Sequence, residues 1–344
     1  MKESNNKENK IVTVIIVAHK RESYVLRAIN SIIEQTVSDE HIEIILVKNF
    51  YNTKIDSRIE SLGIKSIHTL EESLGAKISL GISKSKGDIV CFLEDDDEFF
   101  PQKIERILYL YNKYKIGYYH NNFKIQDSAG FPLNGHLSFS SLKYQSGLKN
   151  SQEAIKQINK LVKSGVSFNL SCIAVNRKIA IKISKLICNM TVALDNFLFL
   201  LSLDMRENAF FDPMELTKYR IHDSNDSFAL TNNLKEFKNM KEKFLSNDLI
   251  GYSIIYANIE NRDIKKFVQY KMELSANVLK LISPDFRIQS SNIIMKLKIA
   301  IVNKSILLIF LILLNIFVKF SVNIPVKLYW MYELWISPVT KRNK

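Results

Sequence analysis

Residues 94–98 are five consecutive acids, EDDDE, and they directly follow the apolar run IVCFL. Adjacent carboxylates repel one another, and each is costly to remove from water, so a folded protein keeps such a run only where it is solvated or neutralised. One interpretation is therefore a solvated acidic loop. The other is a site where one or two carboxylates hold a divalent cation, Mn²⁺ or Mg²⁺, together with the phosphates of a ligand.

Two later segments contain residue types that suit related chemistry. Asp195 lies in the apolar stretch ALDNFLFLLSL, where a carboxylate is either the N-cap of a helix or a general base. Asp204, farther along the same stretch, is a rival candidate for the base. The segment TKYRIHDSNDS contains Arg220 and His222, and the histidine is either structural or a ligand.

The hydrophobic pattern indicates which elements position these residues. Apolar, β-branched strand patterns lie at residues 11–18, 42–47 and 88–93, and helical patterns lie at residues 25–35, 56–62 and 73–85. Strands that alternate with helices predict a mostly parallel α/β sheet flanked by helices, and ligands collect at the carboxyl ends of its strands. The acids follow one of these strands, which favours a binding site over a solvated loop.

The rest of the chain has a looser pattern. It predicts helices at residues 102–114, 151–163 and 177–187, a strand pair joined by a turn at 127–130, and a strand at 167–175. From about residue 232, helical periodicity replaces the strand signals. The predicted organisation is a disordered N-terminus (1–10), an α/β domain (11–230, with halves 11–110 and 111–230), and a helical C-terminal region (231–344) with an apolar segment at 305–326.

The C-terminal region combines apolar and basic residues. The chain has a formal net charge of +13, and from Lys296 onward Glu333 is the only acid. The apolar run SILLIFLILLNIFV is followed by Tyr329, Trp330 and other aromatics, which is typical of a membrane-interface belt. The pattern predicts contact with an anionic membrane surface, either peripheral or through a single C-terminal membrane segment. The alternative is a helix buried in a helical subdomain.

Location and partner class follow from the same residues. The polar first ten residues and the short β-branched run behind them do not form a signal peptide, and the three cysteines lack metal-ligand spacing. These features predict reduced thiols and a location on the cytoplasmic face of the cell membrane. No nucleic-acid partner is expected, because the basic excess accompanies the apolar tail rather than a polar face.

Three segments together resemble a known family. The segment VTVIIVAHKRESYVLRAINSIIEQT, then EIILV, then ESLGAKISLGISKSKGDIVCFLEDDDEF are similar to the inverting family 2 glycosyltransferases of the GT-A (Rossmann-like) fold. The resemblance implies metal-assisted transfer of a sugar from a nucleotide-sugar to an acceptor hydroxyl, with Mn²⁺ or Mg²⁺ as cofactor. With the C-terminal region, it implies an acceptor that is a lipid-linked (polyprenyl-linked) or cell-surface glycan precursor.

The resemblance also implies roles for individual residues. In the donor site, Asp96 would ligate the metal, Asp97 would support it, and Asp95 would point the other way if the strand alternation persists. Asp195 matches the catalytic base, and His222 would approach the metal or the diphosphate. The remaining residues of the implied nucleotide-sugar site, to which Asp95 also belongs, are Ala18, His19, Glu22, Glu94 and Arg220.

The sequence differs from the family pattern after the second strand and in the helix before the acids. Lys48 and the residues behind it replace an acidic turn, and Ser79 and Leu80 replace an Arg-Asn pair. Lys77 or Lys84 could supply the missing diphosphate contact, although a solvated side chain is the simpler interpretation of each. These differences keep as the alternative function a non-catalytic, membrane-anchored GT-A-like relative that binds a nucleotide-sugar or a partner. A nucleotidyltransferase is disfavoured, because the loop HKRES lacks glycine.

Overall fold

The computed structural model describes residues 10–19, 22–133, 147–192, 194–222, 233–284, 292–317 and 323–336. The described residues form two compact units, one that ends at Ile221 and one that begins at His222. The sequence-based boundary at residue 230 and the predicted disordered N-terminus, apart from Lys10, lie outside the described residues.

The first unit contains a mixed sheet of nine strands within its described part, flanked by helices. The strand order is β3-β2-β1-β4-β8-β6-β9-β5, and β7 pairs with β9. The strands are β1 (Val12–Ala18), β2 (Ile42–Lys48), β3 (Lys65–His68), β4 (Ile89–Glu94), β5 (Glu98–Phe99), β6 (Tyr118–Gln126), β7 (Gly147–Lys149), β8 (Ile173–Asn176) and β9 (Ala209–Arg220). The helices are α1 (Glu22–Ile33), α2 (Thr53–Ser61), α3 (Leu74–Lys84), α4 (Lys103–Lys113), α5 (Ser151–Lys156), α6 (Ile158–Lys163), α7 (Arg177–Ile187) and α8 (Leu194–Asp204).

The strands β3, β2, β1 and β4 are parallel, which confirms the predicted α/β fold class. Strand β1 is buried along its whole length, because branched side chains on both of its faces pack against neighbouring elements. Helix α3 approaches closely: a Cβ on Gly81 would lie 2.5 Å from Cγ2 of Ile15. The register pairs Ala18 with Lys48 and Val17 with Glu94, so the three strands end at one edge of the sheet.

The second half of the sheet differs more from the prediction. The turn after β6 is present, since Oδ1 of Asp127 accepts hydrogen bonds from three backbone N–H groups. After the turn, the described residues up to 133 pair with β6 through a bridge between Gln126 and Pro132. The predicted strand at 167–175 is wrong in its first half. Asn169 has a φ of 68°, which breaks extended structure, and a 3₁₀ helix (Leu170–Cys172) precedes β8.

The second unit is helical in its described residues. Its helices are α9 (Leu234–Asn258), α10 (Arg262–Ile282), α11 (Ile293–Val302), α12 (Ile306–Phe317) and α13 (Asn323–Ile336). Apolar residues of α9, α10, α12 and α13 share one core, which includes Phe237, Leu279 and Leu311. Across the ranges that the structure describes, no helix is both long and apolar enough to cross a membrane.

Three residues of the predicted aromatic belt of α13 pack against the helical core. Tyr329 is buried in the helical core and donates a hydrogen bond to Glu333, while Trp330 and Tyr332 pack against the same core. Helical spacing explains the burial of Tyr329, because it lies three residues after the buried Val326 and on the same side of α13. The side chain of Trp335 lies outside the described residues.

Asp248 makes the stability of the second unit depend on pH. Burial between α9 and α10 raises the pKa of Asp248 to about 6, although Lys271 and the hydroxyl of Ser275, which donates at 2.9 Å, both oppose the rise. The folded state therefore holds a proton that the unfolded state releases, so the free energy of unfolding falls as pH rises from about 4 to 6. We expect Asp248→Asn to raise this free energy by about 2–3 kcal/mol at pH 7.5.

Thermal unfolding followed by circular dichroism at several pH values measures this effect. The matched control is Asp263→Asn on α10, whose exposed carboxylate pairs with Lys266 at 2.8 Å and which we expect to change stability by less than about 0.5 kcal/mol. A pH dependence between 4 and 6 that is unchanged in Asp248→Asn would contradict the assignment.

Candidate active site

Asp95 links the end of β4 to the loop that follows β1. Its carboxylate is fully buried, and Oδ2 accepts a hydrogen bond from the backbone N–H of His19 at 2.8 Å. Ala18 ends β1 in front of that loop, and Glu94 ends β4 beside Val17. The structure thus brings four of the predicted donor-site residues to one edge of the sheet, and Asp95 acts there by fixing the β1 loop.

Asp97 lies beneath this edge with its side chain buried. Its Oδ1 accepts from the backbone N–H of Arg220, and its Oδ2 accepts from Nδ2 of Asn169, both at 2.9 Å. Burial raises the pKa of Asp97 to about 7, and the neighbouring Asp96 carboxylate adds to this rise. Asp97 therefore connects the loop after β4 to the end of β9, next to Asp96. This position suits the predicted supporting role, which stays a prediction.

Asn169 connects the acidic run to the predicted base. Its backbone N–H donates to Oδ2 of Asp195 at 3.1 Å, while its side chain bonds to Asp97 and accepts from the N–H of Ser171 at 2.6 Å. Asp195 lies in the first turn of α8 rather than at the N-cap position, and its Oδ1 accepts from the N–H of Asn196. The carboxylates of Asp97 and Asp195 are therefore both hydrogen-bonded to the same residue, Asn169.

Arg220 organises the acidic run from the protein interior. Its side chain is 0% exposed, and its guanidinium donates to the backbone oxygens of Asp96, Asp127 and Ser128 and to the carboxylate of Glu98. The structure shows these bonds instead of a guanidinium presented at the sheet edge. The predicted contact of Arg220 with donor phosphates stays a prediction.

Lys77 belongs to this site rather than to the solvated surface, so the interpretation of a solvated side chain was wrong for it. It is buried, and its Nζ lies 2.6 Å from Nδ1 of His19, which also lies 2.9 Å from Nδ2 of Asn49. An ammonium only donates, so Nδ1 accepts and the other ring nitrogen carries the proton toward Glu72 at 3.3 Å. Lys84 is exposed, as expected.

The remaining predicted residues lie in different settings. Glu22 begins α1, is exposed, and accepts a hydrogen bond from Nδ2 of Asn52, which caps α2. Lys48, where the family pattern has an acid, is buried and pairs with Asp56 at 2.8 Å. His222 belongs to the second unit, and its predicted role as a metal ligand stays a prediction.

The carboxylates at this edge fit a divalent cation that a ligand helps to hold. Within the described ranges, no three His, Cys, Asp or Glu side chains are grouped into a metal site made by protein alone. Mg²⁺ commonly uses one or two carboxylates plus substrate phosphates, and Mn²⁺ favours the same oxygen ligands. The repulsion between Asp96 and Asp97 that raises the pKa of Asp97 is the local negative field that such a cation would relieve.

The sequence did not indicate Asn169, Ser171 or Lys103 as site residues. Lys103 is fully buried below the site, where its Nζ donates to the backbone oxygen of Ser171 and, at 3.0 Å, to Oγ1 of Thr217. Burial lowers the pKa of the Lys103 ammonium to about 8. The one available signal was Asn169, because asparagine tolerates positive φ better than other residues with a side chain.

Comparison with known proteins identifies a family whose members this chain resembles. The family model described as Glycosyl transferase family 2 matches residues 13–183, a range that includes β1, the acidic run and Asn169. An uncharacterized glycosyltransferase of Nostoc sp. is 33% identical over 103 residues, which cover 28% of this chain and 31% of the relative. An uncharacterized glycosyltransferase of Rickettsia typhi is 31% identical over 110 residues, which cover 31% of this chain and 34% of the relative. The chain thus spans about a third of the length of these two relatives.

Solved structures show the same architecture at low sequence identity. S. aureus TarS 1–349 has a TM-score of 0.53 and 11% identity, with 79% of this chain and 72% of that chain covered. Mannosyltransferase PcManGT from Pyrobaculum calidifontis, in complex with GDP-Man and Mn²⁺, has a TM-score of 0.52 and 10% identity, with 97% and 87% covered. These likenesses concern the fold, which is that of GT-A glycosyltransferases. The family match, together with the relatives named glycosyltransferases, shows that the chain belongs to glycosyl transferase family 2.

Proposed function

We propose that the protein transfers a sugar from a nucleotide-sugar to an acceptor hydroxyl with inversion at the anomeric carbon. The observation that carries this proposal is the position of Asn169, which is hydrogen-bonded both to Asp195 and to Asp97 of the acidic run. Asp195 therefore lies close to the acidic run in space. A donor-binding edge and a general base must lie that close for the acceptor oxygen to reach the anomeric carbon. Family membership supports the reaction class.

The residues have distinct roles in this mechanism. The donor diphosphate lies at the edge formed by Ala18, His19, Glu94 and Asp96. A bound Mn²⁺ or Mg²⁺, with Asp96 as a protein ligand, would neutralise charge that develops on the leaving diphosphate. Asp195 accepts the proton of the acceptor hydroxyl while the new C–O bond forms opposite the breaking bond, and the nucleoside diphosphate departs. Its half-buried carboxylate accepts from the backbone N–H groups of Asn169 and Asn196, and these bonds orient its oxygens.

The donor and acceptor classes follow from weaker observations. Two of the structural neighbours are complexes with UDP-GlcNAc and with GDP-Man, so uridine and guanosine diphosphate sugars are the first donors to test. We propose a polyprenyl-linked or other glycan precursor as the acceptor. The apolar and basic helices of the second unit support a substrate that lies at a membrane.

A donor screen tests the proposed function directly. Purified full-length protein is heated with each of a panel of nucleotide-sugars in the presence of Mn²⁺, and the donor raises Tm because it binds only the folded state. Release of nucleoside diphosphate from the stabilising donor then measures transfer or hydrolysis. If no nucleotide-sugar stabilises the protein or is turned over, the proposal is wrong. Stabilisation without any turnover would support the non-catalytic, nucleotide-sugar-binding alternative instead.

We expect metal-dependent binding of the donor to depend on Asp96. In Asp96→Asn the side chain keeps its shape but loses its charge, so we expect at least about a tenfold loss of donor affinity in the presence of Mn²⁺. Isothermal calorimetry with and without Mn²⁺ measures this change. The control Glu215→Ala removes an exposed carboxylate that pairs with Lys124 at 3.4 Å, and it should bind as the wild type does. Equal Mn²⁺ enhancement in Asp96→Asn and wild type would exclude Asp96 as a ligand.

A further inference from the structure

Helix α12 presents an apolar stripe to solvent. Ile306, Ile309, Leu313 and Phe317 recur at helical spacing and are exposed, with Ile306 82% exposed. Leu308 and neighbouring residues on the opposite side of α12 are buried. A helix at the surface of a soluble domain normally turns polar residues outward, so α12 is apolar on a side that has no partner within the described chain.

The helices on either side of α12 in sequence repeat this feature. In α11, Ile294, Leu297 and Ile301 are exposed, while Ile299 and Ala300 are buried. In α13, three aliphatic residues are exposed at the same spacing. Both helices contact α12. The apolar face is defined here as these exposed residues: Ile294, Leu297, Ile301, Ile306, Ile309, Leu313, Phe317, Ile324, Leu328 and Met331.

The charges beside the apolar face have one sign. Lys298, Lys304 and Lys327 are exposed on the same three-helix segment. From residue 292 onward the only acid in the sequence is Glu333, and its carboxylate is occupied by Lys241 at 3.0 Å and by Tyr329. A second copy of the chain would bring like charges together, whereas an anionic lipid surface complements them.

We propose that the apolar face docks on the surface of an anionic lipid bilayer, with α11, α12 and α13 lying in the interface. The helices contain 10, 12 and 14 residues, which is about 15–21 Å of helix against a hydrocarbon core of about 30 Å. The exposed aliphatic side chains enter the acyl boundary, and the lysines reach back to the headgroups. On α13 the exposed aliphatic residues make this contact, since Tyr329, Trp330 and Tyr332 pack against the helical core.

Vesicle sedimentation of the full-length protein tests this proposal without any sugar substrate. We expect the wild type to bind vesicles of phosphatidylcholine with phosphatidylglycerol and to bind pure phosphatidylcholine vesicles much less. The double variant Ile306→Glu/Leu313→Glu should lose at least about a hundredfold in partition, because burying each aliphatic side chain is worth about tenfold or more. The control Ile250→Glu changes an exposed isoleucine of α9 outside the apolar face and should bind as the wild type does.

A charge variant tests the same proposal with little risk to folding. Lys298→Ala/Lys304→Ala/Lys327→Ala removes three exposed cations, and each is worth about fivefold near an anionic surface. We expect about a hundredfold weaker binding to anionic vesicles and no change on neutral ones. The proposal is overturned if the wild type stays in the supernatant with anionic vesicles, or if neither variant weakens binding. It is also overturned if sedimentation velocity shows self-association that the glutamate variant abolishes while no vesicle binding occurs, because a second copy would then cover the face.

Discussion

Asp195→Asn is expected to lower kcat by about 10²–10⁴ while donor affinity stays within about twofold of wild type. The amide cannot accept the proton of the acceptor hydroxyl, so general-base assistance is lost. Asp195 has no contact with the β1 loop among its hydrogen bonds to Asn169 and Asn196, so the donor edge should keep its geometry. Initial-rate measurements at saturating donor and acceptor, together with donor calorimetry, separate the two effects.

The hydrogen bonds of Asp195 make a control necessary. Both carboxylate oxygens accept from backbone N–H groups, so an amide leaves one of those donors unpaired, which costs about 1–3 kcal/mol of stability. The matched control is Asp204→Asn, at the other end of α8 and about 13.5 Å away along the helix axis. We expect Asp204→Asn to retain turnover. Unimpaired turnover in Asp195→Asn, or an equal loss in Asp204→Asn, would exclude Asp195 as the base.

Strands β1 and β4 of the parallel half were predictable because they are buried along nearly their whole length. Their apolar, β-branched runs are typical of strands covered on both faces, and glycine at position 81 lets α3 pack closely on β1. The same pattern placed the acids at the carboxyl end of β4, where the register confirms them. Strand β9 was missed, because Pro213 and several polar residues interrupt its pattern and its pairing with β6 contains a bulge.

The contacts between distant segments could not be predicted from the sequence. Asn169 and Asp97 are 72 residues apart, and Lys77 and His19 are 58 residues apart. Neither pair has a local pattern, since each joins segments that only the folded chain brings together. For that reason Lys77 resembled an ordinary surface lysine of a helix, although its ammonium lies against the β1 loop.

The contacts of Arg220 could not be predicted from the sequence either. They give the second prediction with a large expected change, a loss of stability. The family resemblance of the segment that contains Arg220 implied a place in the nucleotide-sugar site, but its guanidinium lies over the ring of Tyr24 at 4.9 Å and bonds to four groups of the protein. Three of these groups are backbone oxygens, of Asp96 and of the turn after β6. Removing the guanidinium would leave these buried oxygens without their charged donor and would take from Glu98 one of the two cations that pair with it.

We therefore expect Arg220→Met to lower the free energy of unfolding by about 3–5 kcal/mol and the Tm by about 6–20 °C. The matched control is Lys218→Met on the same strand, because Lys218 pairs with the same Glu98 at 3.3 Å but is 34% exposed. A pair exposed to that extent contributes at most about 1 kcal/mol, so the control should melt within about 4 °C of wild type. Differential scanning calorimetry measures both variants. If Arg220 instead contacts the donor phosphates, Arg220→Met will weaken donor binding at an unchanged Tm, and the structural role assigned to its buried guanidinium will be wrong.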